Sequence, residues 1–198
     1  MQLKLIPILE LYYKHRRFPF PTQATDEEYQ LYRQQVLAAC GFEVPLTSLP
    51  DQPYNYPITT LSDADLARIL SNTIKHKTLL EGGYALVDVV QGKTLISTRC
   101  CSDLNDASSW LNLLPQNTAD FWIGHPIMHC DIQEQNVIFH EYDQPEKPDL
   151  ILPLDAVIIA VKELQTLLPA LKMRLLSVAL QHGIPRRKIL PLLSFSAL

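Results

Sequence analysis

At 198 residues the chain is long enough to bury a substantial core as a single domain, with no need of disulfide or metal staples. Its composition, 47% hydrophobic and 19% charged, is that of an ordinary globular protein. A net charge of −4 speaks against generic affinity for nucleic acid or for an anionic membrane, both of which call for a basic surface.

The chain opens on Leu3–Leu11, a partly alternating apolar run that reads as a first strand, with Pro7 at an edge or bulge. Its basic residues follow the apolar run rather than precede it, and Pro7 and Glu10 interrupt it, so it is not a signal peptide. Lys14, His15, Arg16 and Arg17 then meet Phe18 and Phe20. In an acidic chain this short cluster reads as a solvated loop, with phosphate or nucleic-acid contact as the alternative. Thr25 and Glu28 form a capping box, and Tyr29, Tyr32, Val36, Leu37 and Cys40 share the stripe of the helix it starts. Between Val44 and Thr60 four prolines keep the chain extended, with Tyr54 and Tyr56 among them. This Pro-rich loop at 44–60 is either a recognition surface or a strap over one side of the core.

Ser62 caps a second helix, whose buried stripe is Leu66, Ile69, Leu70, Thr73 and Ile74. Gly82 and Gly83 read as turn residues, and Tyr84–Val90 with Thr94–Cys101 as a hairpin around Gln91-Gly92-Lys93. Asp103 or Asn105 caps a short helix through Trp110 and Leu114. From Asp155 the spacing of Val157, Ile158, Val161, Leu164 and Leu168 is helical, and Pro169 kinks this helix or begins another, which predicts a C-terminal helix pair at about 155–182. The run Leu150–Val161 is too short to span a bilayer. The expected fold is therefore α+β: an antiparallel sheet built from an N-terminal strand and two hairpins, with helices mainly on one face.

The second of these hairpins, within Phe121–Tyr142, is the one place where a site can be drawn. With the turn centred on Glu134-Gln135, Met128–Gln133 pairs with Asn136–Glu141 and side chains alternate between two faces. Met128, Cys130, Ile132, Val137 and Phe139 form a core face; His129, Asp131, Ile138, His140 and Tyr142 form a polar one, with His129 directly across from His140. Cross-strand Cβ atoms about 4.5–5.5 Å apart would let two imidazoles and Asp131 converge on a zinc or iron ion. No HxH, HExxH or CxxC spacing accompanies the pair, so a surface or structural role is the plainer reading, and no cofactor is assigned.

Nucleophile-and-base signatures are missing from the sequence: there is no GxSxG, and Cys130 beside His129 projects to the opposite face of a regular strand. The four cysteines, Cys40, Cys100, Cys101 and Cys130, read as small hydrophobes of a reducing compartment, the adjacent pair pointing to opposite faces of a strand. Cytoplasmic residence is the expectation.

The opening KLIPILEL, the Pro-Phe-Pro loop, the capped helix and Trp122-Ile123-Gly124-His125-Pro126 leading into the hairpin together resemble small cytoplasmic immunity proteins encoded beside bacterial polymorphic toxins. The resemblance is one of overall pattern and touches about a third of the chain. It implies a non-enzymatic α+β protein that neutralises a cognate toxin domain by direct binding. An acidic, partly aromatic surface would then meet a basic cleft, with Asp131, Glu141, Asp143, His129, His140, Tyr54 and Tyr56 as candidate partner-binding residues. Two alternatives stand beside it: a metal-dependent enzyme or metal-binding regulator using His129, Asp131 and His140, and an adaptor that docks through the C-terminal helices.

Overall fold

The computed structural model describes residues 1–13, 17–114, 121–141 and 149–195. Lys14, His15, Arg16, Tyr142 and Asp143 lie outside the described residues. The first strand, β1 (Leu3–Glu10), is buried on both faces: Leu3, Leu5 and Leu9 enter the main core, while Ile6 and Ile8 pack into a smaller cluster. Burial on two sides explains why its sequence is nearly continuous in apolar residues instead of cleanly alternating. Helix α1 (Asp26–Ala39) begins at the predicted capping box, Glu28 N–H donating to Thr25 Oγ1 over 3.3 Å and Thr25 N–H to Glu28 Oε2 over 2.8 Å. Its buried stripe holds Val36 and Leu37 but also Arg33, whose guanidinium donates to the Leu11 carbonyl.

The Pro-rich segment is a strap. Leu49 packs against Ile8, Ala85 and Val87 on the far side of the sheet, and β2 (Asn55–Pro57) pairs with Ile8–Glu10. Because β2 reaches only to Ile8, Pro7 sits where that ladder ends, consistent with its missing N–H. Helix α2 (Asp63–His76) follows its Ser62 cap, and β3 (Gly82–Asp88) pairs along nearly the whole of β1. Strand β4 (Lys93–Ile96) closes a four-stranded antiparallel sheet of order β2-β1-β3-β4. Asp103 caps a 3-10 turn, Leu104–Asp106, which leads into helix α3 (Ala107–Leu111).

The second hairpin, β5 (Met128–Gln133) and β6 (Asn136–Glu141), does not extend this sheet. It recruits β7 (Leu150–Pro153) into a separate three-stranded antiparallel sheet of order β5-β6-β7. The α+β class is as expected, but the two hairpins are divided between two sheets. Strand β7 is hard to read from sequence because its apolar run passes without a break into α4 (Leu154–Gln181).

Helix α4 is one helix of 28 residues, not the expected pair. Pro169 lies inside it on the exposed side, and the stripe Leu164, Leu168, Leu171, Leu175 runs past it unbroken. Arg174 ties α4 to the start of α2, donating to the carbonyls of Ile58 (2.9 Å) and Leu61 (2.7 Å) and pairing with Asp63 (2.9 Å). After α5 (Arg186–Ile189) the chain returns Leu193 and Phe195 to the core. One apolar cluster thereby draws on both sheets and all five helices. Among the described residues no helix is long and apolar enough to cross a membrane.

Gly82 and Gly83 are not turn residues but the first two residues of β3, opposite Leu9 and Ile8. Gly82 has φ 144°, and a Cβ there would stand 2.2 Å from the Ile8 carbonyl oxygen and 2.9 Å from Leu9 Cα, both of them backbone. Gly82→Ala is therefore expected to lower the unfolding free energy by about 3 kcal/mol, through strained backbone and displaced β1. Chemical denaturation monitored by circular dichroism checks this; a loss below about 0.5 kcal/mol, the range of an ordinary surface change, would contradict the close approach.

Candidate partner-binding face

The hairpin is built as its alternation dictates. Its turn lies at Glu134-Gln135, with Glu134 at φ 53°, and the register pairs His129 with His140, Cys130 with Phe139 and Asp131 with Ile138. Met128, Cys130, Val137 and Phe139 are buried, Phe139 lying 5.3 Å from the Phe121 ring and 6.1 Å from that of Trp110. The opposite face carries His129, Asp131, Ile138 and His140, and β7 extends it by placing Ile151 beside Ile138. Ile151 is 58% exposed.

His140 is the ordered centre of this face. Its Nε2 lies 3.2 Å from Asp131 Oδ2 and its Nδ1 lies 2.7 Å from Asp149 Oδ1. Asp131 reaches it from β5 and Asp149 from the residue before β7, so the imidazole links all three strands. Both ring nitrogens are engaged by carboxylates, which leaves the histidine pair facing across the hairpin but not poised as two metal ligands. Among the described residues, the ligand atoms that converge belong instead to Cys100, Cys101 and His125.

Other predicted partner-binding residues are placed elsewhere. Glu141 lies opposite Met128, on the inward side, and pairs with Arg99 at 2.6 Å, both side chains less than a fifth exposed. Arg99 also donates to the Pro126 carbonyl at 2.8 Å, so the pair fastens the entry of the hairpin. Tyr56 is fully buried in the main core and has no surface to offer a partner. Tyr54 is half-buried, with the Arg33 guanidinium 4.1 Å from its ring centroid and the Tyr12 ring at 4.9 Å. Asp143 falls outside the described residues.

Sequence reading missed Asp149 and Ile151 because their strand was not recognised. It missed the thiol–imidazole trio because a regular strand would send Cys100 and Cys101 to opposite faces. Cys101 instead takes φ 68°, and the thiols come within hydrogen-bonding contact, which pushes the Cys101 thiol above its ordinary range. Cys130 behaves as anticipated for a core cysteine: burial, with a smaller contribution from Asp131, pushes its thiol up to about 12.

Comparison of the chain with protein-family models, curated proteins and solved structures finds no match.

Exposure fixes an expected reactivity pattern. Under reducing-agent-free, anaerobic conditions a thiol-specific reagent is expected to modify the exposed Cys100 and Cys101 in the native protein, and Cys130 only after denaturation. Peptide mapping of the labelled sites checks it; rapid native labelling of Cys130 would mean that the inner face of the hairpin is open.

Proposed function

We propose that the protein is a non-enzymatic, cytoplasmic binding protein that seats a basic partner on the outer face of the β5-β6-β7 sheet, and that the partner is a toxin domain it neutralises as an immunity protein. One observation carries the reading: an apolar centre, Ile138 and the 58% exposed Ile151, stands beside the carboxylates of Asp131 and Asp149 on a three-stranded face. An exposed apolar centre with a charged rim is the usual anatomy of a protein–protein contact. The clamp on His140 supports the same reading, since carboxylates held in place before docking lose less side-chain freedom when a basic surface arrives. The net charge of −4 favours such a partner in the same direction.

On this reading the resemblance to immunity proteins rests on a surface, not on a catalytic set. Blocking a toxin requires only that the bound protein cover or distort the toxin's active cleft, and a rigid sheet face suffices for that.

Co-expression with the toxin domain encoded by the adjacent gene, followed by calorimetry on the purified components, tests the proposal. A one-to-one complex is expected, its affinity falling as salt rises. Asp131→Lys and Ile151→Asp should each weaken it at least tenfold, about 1.4 kcal/mol, while circular dichroism shows both variants still folded, because both side chains point away from the core. Absence of a complex, or undiminished binding by both variants, would overturn the assignment of this face.

A further inference from the structure

Outside the proposed binding face, the 99–101 and 121–126 segments meet at a point that no part of the binding reading uses. They are joined as a short antiparallel bridge between Cys100 and His125: Arg99 N–H donates to the Ile123 carbonyl at 2.9 Å, and His125 N–H to the Cys100 carbonyl at 3.0 Å. The approach is close enough to require Gly124, which has φ 100°. A Cβ there would lie 2.4 Å from the Cys100 carbonyl oxygen and 2.6 Å from that of Arg99. The Ser102 N–H closes a turn onto the Arg99 carbonyl at 3.2 Å, and within that turn Cys101 adopts its left-handed conformation. The left-handed residue swings the second thiol to the side of the first. The Trp122 ring stands edge-on to the His125 imidazole, with centroids 4.7 Å apart and planes at 89°, and limits where that ring can turn.

The outcome is that Sγ of Cys100, Sγ of Cys101 and an imidazole nitrogen of His125 all lie within 4.8 Å of one another, on three exposed side chains. In a tetrahedral zinc site, with Zn–S near 2.3 Å and Zn–N near 2.0–2.1 Å, neighbouring ligand atoms are about 3.5–3.8 Å apart. Side-chain rotation covers the difference, and the backbone is already held by the bridge and the turn. Both cysteines are free thiols.

We propose that Cys100, Cys101 and His125 form a site for one thiophilic d10 cation, Zn²⁺ or Cu⁺, held by two thiolates and one imidazole nitrogen. Soft sulfur donors with an imidazole select these ions over Mg²⁺ or Ca²⁺, which require oxygen ligands. On binding, each S–H proton leaves to solvent as the S–metal bond forms, so two protons are released per ion and no oxidation is involved. Zn²⁺ would take water or an added ligand in a fourth position, whereas Cu⁺ is satisfied by three.

The test uses the full chain, purified without an affinity tag, fully reduced and handled anaerobically. Zn²⁺ and, in a separate arm, Cu⁺ are titrated against competing chromophoric chelators, with Co²⁺ as an optical stand-in for Zn²⁺. The expected result is one equivalent of at least one of the two ions per chain, with proton release, and thiolate-to-cobalt charge-transfer absorption in the Co²⁺ form. Cys100→Ser and Cys101→Ser should each weaken binding by roughly 100-fold and cut the charge-transfer absorption per bound cobalt to about half, and His125→Gln should weaken it by roughly 10-fold or more. His129→Gln should change nothing, which separates this site from the hairpin histidines. The three ligand side chains are exposed, so the variants should keep the parent melting curve, and the cobalt spectrum reports coordination independently of stability. Failure to bind either ion, undiminished binding in the serine variants, or a Cys100–Cys101 disulfide that persists under reductant would each overturn the proposal.

Discussion

Much of this fold is arranged around β1, an interior strand that is paired on both edges and packed on both faces. Its two edges are paired with β2 and β3, one face lies under α4 and the main core, and the other is closed by Leu49 of the strap. An interior strand buried on both faces can contain no charge that lacks a partner and no backbone group that lacks a bond. Those demands account for features that look unrelated in the sequence. The absence of a side chain at Gly82 lets β3 approach, and the long proline-marked segment exists to reach around the sheet and return as β2. Arg33 is buried because it satisfies the Leu11 carbonyl just past the end of the strand.

Local signals were legible where one interaction dominates a short stretch. The capping box at Thr25, the Ser62 cap and the hairpin register with His129 opposite His140 all depend on residues within a few positions of each other, so a sequence pattern contains the whole cause. Long-range choices were not legible. Nothing in Leu150–Pro153 distinguishes a strand from the first turn of the helix it runs into; only the free edge of β6 makes it β7. Pro169 is a helix breaker in isolation and an exposed passenger in a helix already fixed by packing on both sides of it.

The candidate residues divide along the same line. Asp131, His129 and His140 could be placed on one face because period-two alternation governs them, whereas Tyr56 was misjudged because its strand forms only when β1 supplies a partner. Glu141 follows the alternation onto the inner side, where Arg99 compensates its charge. The Cys100–Cys101 arrangement turns on a single positive φ at a non-glycine residue, which no composition or spacing rule announces. Here the local rule failed at the place where the chain brings two thiols and an imidazole together, and such failures concentrate at sites that serve something other than folding.

Arg99 joins the two regions. Its backbone N–H fixes Ile123, its guanidinium holds the Pro126 carbonyl and Glu141, and the next two residues are the paired cysteines. The segment that aligns His125 with the thiols is therefore the one that delivers the chain into β5. The second sheet needs only its inner face and this fastening to stay in place, since Met128, Cys130, Val137 and Phe139 supply its share of the core. Its outer face contributes to folding only through the carboxylate clamp on His140. That face keeps Ile138 and Ile151 beside the carboxylates that hold His140, and the binding role proposed above rests on this combination.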